Sequence, residues 1–156
     1  MNLLRRLFNK YPEQPVLRKA TTLLNRVTLQ IILLKLFQPG FTTDLSNRVK
    51  LCEQALTLVE RAVNPALWAV LHGELGNGLA QSPVGIRAEN LERALNAYKA
   101  ALQIFTLQDM PGKWATTMSN LANIYLDRVH GNREENLEYA ISSYEAALKV
   151  QTRHAK

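Results

Sequence analysis

A single cysteine, Cys52, stands among 156 residues, so no intrachain disulfide can form and a reducing, cytoplasmic setting is the expectation. Glycine and proline are sparse too, at seven and six. A chain poor in turn residues and rich in Ala and Leu favours helices over many short strands. Long apolar runs are missing. The stretch VTLQIILL, residues 27–34, is bracketed by Arg26 and Lys35. It falls far short of the roughly 20 apolar residues that a membrane-spanning helix needs. The opening MNLLRRLFNKYPEQP has neither the apolar core nor the small-residue cleavage site of a secretory leader. A soluble protein is therefore expected. Acid is nearly absent from residues 1–43, where Glu13 faces Arg5, Arg6, Lys10, Arg18, Lys19, Arg26 and Lys35. Residues 44–156 carry twelve residues of each sign, so the net charge of +6 belongs to the N-terminal segment. The neutral remainder gives no reason to seek nucleic acid.

What is present is self-similarity. NLERALNAYKAALQIFT begins at Asn90 and NLEYAISSYEAALKVQT at Asn136, with nine of 17 positions identical. The same shift of 46 residues relates Pro65 to Pro111, Trp68 to Trp114, Leu75 to Leu121, Asn77 to Asn123, Gly85 to Gly131 and Arg87 to Arg133. Asp44, Leu45, Ala55 and Leu56 correspond in the same way to Asn90, Leu91, Ala101 and Leu102. Each unit has two amphipathic stretches. The first is expected over 66–81 and 112–128, where Trp114, Met118, Leu121, Ala122 and Tyr125 share one helical face. The second is expected over 44–62, 90–107 and 136–153, with Asp44, Asn90 and Asn136 placed as N-caps. Glu134, Glu135 and Glu138 suit the positive end of a helix dipole. Pro65 and Pro111 suit a first helical turn, where the missing N–H costs nothing.

Met118, Leu121, Ala122 and Tyr125, followed by Ala140, Tyr144 and Ala147, resemble the pattern of tetratricopeptide repeats. Ala94, Tyr98 and Ala101 match its second helix as well. The unit is longer than the usual one of about 34 residues, with the excess shared between the two connections. The wording resembles a long bacterial variant found ahead of caspase-like CHAT peptidase domains. No peptidase domain is present in this sequence, so no protease activity carries over. The resemblance covers residues 44–156 and implies an all-α fold: a right-handed superhelical solenoid of antiparallel helix pairs, with about six or seven helices. Stacked pairs bury apolar faces that a lone hairpin leaves open, and create a concave surface.

The resemblance places a partner-binding groove on the first helix of each pair. Mapped onto this sequence, it comprises Val70, Gly73, Glu74, Asn77 and Gln81, then Thr116, Ser119, Asn120, Asn123 and Asp127. Asn77 and Asn123 fall where many such repeats bond a bound peptide backbone. A solvated or capping role for the two asparagines stays open. The family's carboxylate clamp needs Lys and Arg on this face; none is expected there, so C-terminal carboxylate recognition is not. The implied function is a protein-interaction scaffold that takes a partner protein or peptide in the groove or at the solenoid ends. Self-association through the last repeat belongs to this reading.

Residues 1–43 fit the register poorly. Leu17, Ala20, Leu24, Val27, Ile31 and Leu34 are spaced as one helical stripe. A basic capping segment that pairs with 44–62 is one reading. An amphipathic arm for an anionic membrane or acidic partner, with Arg5, Arg6, Lys10, Arg18 and Lys19 as its basic surface, is another. A dimerisation helix is a third. Chemistry is not expected. His72, His130 and His154 lack partners at metal-ligand spacing. Cys52 corresponds to Tyr98 and Tyr144 and reads as a small core residue. HGELGNG, from His72, lacks the Lys-Ser/Thr of a phosphate loop. Trp68 and Trp114 read as packing residues. Neither an enzyme, a cofactor nor a metal is anticipated. If the small residues form a packed seam, Ala101→Leu should overfill it and cost about 1–3 kcal/mol. Thermal unfolding that leaves the melting temperature unchanged would sink the stacking idea.

Overall fold

The computed structural model describes residues 15–38 and 44–152. Among them the fold is all-α: six helices and no strand. They are α1 (Pro15–Phe37), α2 (Leu45–Leu56), α3 (Pro65–Gln81), α4 (Arg87–Leu102), α5 (Pro111–Asp127) and α6 (Arg133–Gln151). The chain divides between Phe41 and Thr42 into two units. In the first unit, α1 exposes Leu23, Leu24, Val27, Ile31, Leu34 and Phe37. Arg5, Arg6 and Lys10 lie outside the described residues, while Arg18 and Lys19 fall in α1 and Lys19 is exposed.

In the second unit each helix packs on its chain neighbours, and α3 also touches α5. Local chemistry sets where the helices begin. Asp44 caps α2, its Oδ1 accepting from Asn47 N at 3.1 Å. Asn64 caps α3 in the same way through Leu67 N, with Pro65 first in the helix. Asn132 accepts from Glu134 N and Glu135 N to cap α6. Each satisfies amide donors that the first helical turn leaves without partners.

Asn90 and Asn136 are not N-caps. α4 and α6 begin earlier, at Arg87 and Arg133, and both asparagines are buried within the helix. Asn90 Nδ2 donates to Val84 O at 2.8 Å, and Asn136 Nδ2 to His130 O at 2.9 Å. Each bond closes the turn ahead of the helix. Those turns pass through Gly85 and Gly131 at φ of +89° and +83°, the left-handed region that a side chain would strain. The early start has a physical reason. Arg133 donates to Leu126 O at 2.6 Å, and Arg87 donates to Ala80 O. The first residue of one helix thus satisfies a carbonyl at the open end of the helix before it. α2 and α4 stop earlier than expected, at Leu56 and Leu102 rather than 62 and 107. Thr57 folds onto Gln54 O after α2, and Thr106 with Asp109 closes a turn after α4.

The main core joins Leu91, Ala94, Leu95 and Tyr98 of α4 to Leu121, Ala122, Ile124 and Tyr125 of α5, with Val49, Leu79 and Ala140 around them. A second cluster surrounds Ala69, Ala101 and Phe105, with Trp68 and Trp114 packed against it. Close approach depends on missing side chains. A Cβ on Gly76 would stand 2.6 Å from the Tyr98 ring, whereas one on Gly73 would meet nothing within 4 Å. Two substitutions in one helix should therefore act in opposite directions. Gly76→Ala should lower stability by about 1–3 kcal/mol through overpacking. Gly73→Ala should raise it by about 0.5–1 kcal/mol, because an open helical position only loses backbone freedom. Thermal melts of the two variants against the parent decide this, and equal effects would contradict the packing described.

Candidate functional site

A cleft of about 280 Å³ opens in the second unit. α3 contributes Val70, Gly73, Glu74 and Asn77; α5 contributes Gly112, Lys113, Thr116, Thr117 and Asn120; Tyr98 and Phe105 line it from α4 and the turn beyond. Of the residues that the resemblance places on this face, Val70, Gly73, Glu74, Asn77, Thr116 and Asn120 line the cleft. Gln81, Ser119, Asn123 and Asp127 do not line it. Asp127 is instead paired with Arg87 at 2.9 Å, and Asn123 accepts a hydrogen bond from the Tyr144 hydroxyl.

The polar centre of the cleft is one connected network. Asn77 Oδ1 accepts from the Tyr98 hydroxyl at 2.8 Å and from Asn120 Nδ2 at 3.0 Å. Both bonds end on the carbonyl oxygen of Asn77, and the second uses the amino group of Asn120. Among the described residues, the Asn77 Nδ2 donor and the Asn120 Oδ1 acceptor keep no partner. An extended peptide backbone presents the complementary acceptor and donor. Burial, with the nearby Glu74 carboxylate, pushes the Tyr98 phenol above its ordinary value, so it stays a donor through the neutral range.

The charges need one correction. A cation does occupy this face: Lys113 lines the cleft, its Nζ 5.3 Å from the Phe105 ring centroid. Its spacing from Thr116 and Asn120 puts all three on one face of α5, so helical periodicity alone could have found it. Tyr98 and Phe105 were hidden for a different reason. They belong to the second helix of the pair, or to a tail expected to be helical, whereas the resemblance places the groove on the first helix of each pair. Glu74 is held by Arg48 of α2 and is not a free carboxylate. The hydroxyls of Thr116 and Thr117 donate to Gly112 O and Lys113 O one turn back.

Outside the cleft, His72 packs edge-on against Trp68 with ring centroids 4.1 Å apart. Its Nδ1 is buried without a hydrogen-bond partner, and burial holds its pKa below the usual value. His130 is exposed in the turn before α6. Among the described residues, no group of His, Cys, Asp and Glu is placed to hold a metal, and no helix is long and apolar enough to cross a membrane. No protein-family model, no curated protein and no solved structure matches the chain.

Cys52 is fully buried in α2. Burial, reinforced by Glu74, raises its thiol pKa to about 12. The folded value lies above that of an open thiol. The folded state is therefore favoured below about pH 9, and this contribution is lost as pH rises towards 12. Ellman's reagent at pH 8 should accordingly react only after denaturant unfolds the chain. Prompt labelling of the native protein would contradict the buried placement.

Proposed function

We propose that residues 44–156 act as a protein-interaction module of tetratricopeptide-like architecture, a right-handed solenoid of antiparallel helix pairs, and that the α3–α5 cleft binds an extended segment of a partner protein. One observation carries the reading. The Tyr98–Asn77–Asn120 network leaves a fixed amide donor and a fixed amide acceptor in a cleft walled by Val70 and Phe105. Such a pair fits main chain rather than any one side chain. Lys113 adds a preference for segments with an acidic residue beside the bound backbone. A scaffold without catalytic chemistry, in a cytoplasmic setting, goes with this reading. So does kinship with the long bacterial tetratricopeptide variant.

A second reading is favoured by α1. Its exposed apolar stripe is accompanied by Lys19, Arg26 and Lys35, the combination that seats a helix on an anionic surface. Sedimentation of the full chain with anionic vesicles tests it, and no pelleting at low salt would remove it.

The cleft is tested by selecting linear peptides from a displayed library against the full chain. Asn120→Ala and Lys113→Ala should each weaken the selected peptides by roughly tenfold, or about 1.4 kcal/mol, with little change in melting temperature. Asn77→Ala should weaken them too, and it should also lower the melting temperature because the buried Tyr98 hydroxyl loses its acceptor. Peptides whose binding ignores all three changes would refute the assignment.

A further inference from the structure

α6 carries an open face whose counterpart on α4 is closed. Residues 46 positions apart make the comparison direct. Leu95 on α4 is 3% exposed, inside the core shared with α5, while Ile141 on α6 is 58% exposed. Leu102 is half-buried against the same core, while Leu148 is 58% exposed. The flanking charges differ in the same way. Glu92 takes two bonds from Arg128, which follows α5, at 2.6 and 3.0 Å. Its counterpart Glu138 is exposed, with no ion pair among the described residues. Lys99 lies 5.9 Å from the Tyr125 ring of α5. Its counterpart is Glu145, an exposed acid. The face of α6 is thus shaped for another helix. Where α4 has Glu92 and Lys99, it offers two carboxylates, so the helix that suits it is cationic.

α1 has that character. It contains Arg18, Lys19, Arg26 and Lys35 and no acid. Its exposed Leu24, Val27, Ile31 and Leu34 follow three- and four-residue spacing, like that of Met118, Leu121 and Tyr125 on α5. We propose that α6 of one copy receives α1 of a second copy, so that the protein associates head to tail. Ile141 and Leu148 meet the α1 stripe, and Glu138 and Glu145 meet its cations. The contact is heterologous, joining two different surfaces, so it can propagate along a row of copies. This face is separate from the α3–α5 cleft, and the proposal holds whether or not the cleft binds a peptide.

Two exposed positions test it. Leu34 is 73% exposed, so Leu34→Glu and Ile141→Glu should both leave the fold intact by circular dichroism. The parent should exceed monomer mass by light scattering at roughly 0.1–1 mM, the range for a small transient interface. It should lose this association severalfold between about 50 and 500 mM salt. Each variant alone should be a monomer. Mixed in equal amounts they should form a one-to-one pair that grows no further, because each supplies the face the other lacks. Glu138→Lys combined with Glu145→Lys blocks α6 by charge alone and should behave like Ile141→Glu. Several results would overturn the proposal: a monomeric parent at about 1 mM, association indifferent to salt, a single variant that still associates, or a mixture that stays monomeric. So would vesicle binding by a chain that never self-associates, which would assign α1 to a lipid surface.

Discussion

Tyr98 asks two things of α3 at once. Its ring needs a position without a side chain, which Gly76 supplies, and its hydroxyl needs an acceptor one residue further on, which Asn77 supplies. The tyrosine is almost wholly buried, so an unmet hydroxyl there would cost about 1–3 kcal/mol. The requirement fixes the spacing and the register of α3 against α4 together. Only the hydrogen bond recurs 46 residues later: Tyr144 donates to Asn123, but Ala122 stands in the place of Gly76 and Tyr144 is far more exposed than Tyr98. Leu95 lies three residues before Tyr98 on the same face of α4, so the tyrosine that sets the register against α3 also belongs to the core shared with α5. Leu95, Leu121 and Tyr125 form that core between α4 and α5.

The recurring polar residues show how far the sequence could be read. That Gly85, Arg87 and Asn90 return as Gly131, Arg133 and Asn136 is visible without coordinates. What they do is not. An asparagine ahead of an apolar stripe is a favourable N-cap, and that local rule points to Asn90 and Asn136. A non-local demand prevails. The exposed carbonyls at the ends of α3 and α5 need donors, and Arg87 and Arg133 provide them only if each helix starts with the arginine. The asparagines then fall inside the helix, where they bind the carbonyls of the glycine turns instead. Propensity describes one helix at a time, whereas these starts are decided by two.

Charge was legible in amount but not in pairing. Arg128 and Glu92 lie far apart in sequence, and neither is a periodic match for the other. Yet they form a two-point, partly shielded contact across α4 and α5. The hydrogen bond to Arg128 holds the Glu92 carboxyl below its usual pKa. An isolated surface pair contributes about 0–1 kcal/mol. A bidentate guanidinium contact held over the Tyr125 ring belongs at the upper end of that range, with a geometric role as well. It joins the turn after α5 to α4, and Arg128 also donates to Asn136, which tethers the start of α6. Pairwise contacts of this kind depend on how far each helix is rotated about its axis. Composition carries no trace of that.

The cleft goes one step further, because no single helix pair contains it. Asn77 and Asn123 are corresponding residues, and both receive a tyrosine hydroxyl. Only Asn77 has a second amide beside it, from Asn120 on the next helix of the same kind. Glu74 occupies the position corresponding to Asn120, but it turns to Arg48 rather than towards an amide. The tyrosine–asparagine bond is therefore present twice, while the Asn77–Asn120 pair requires α3 and α5 side by side. Duplicating the unit does more than extend the core. It places two helices of the first kind next to each other, with Phe105 and Tyr98 closing the space between them. Among the described residues, two helices of the first kind stand side by side only there.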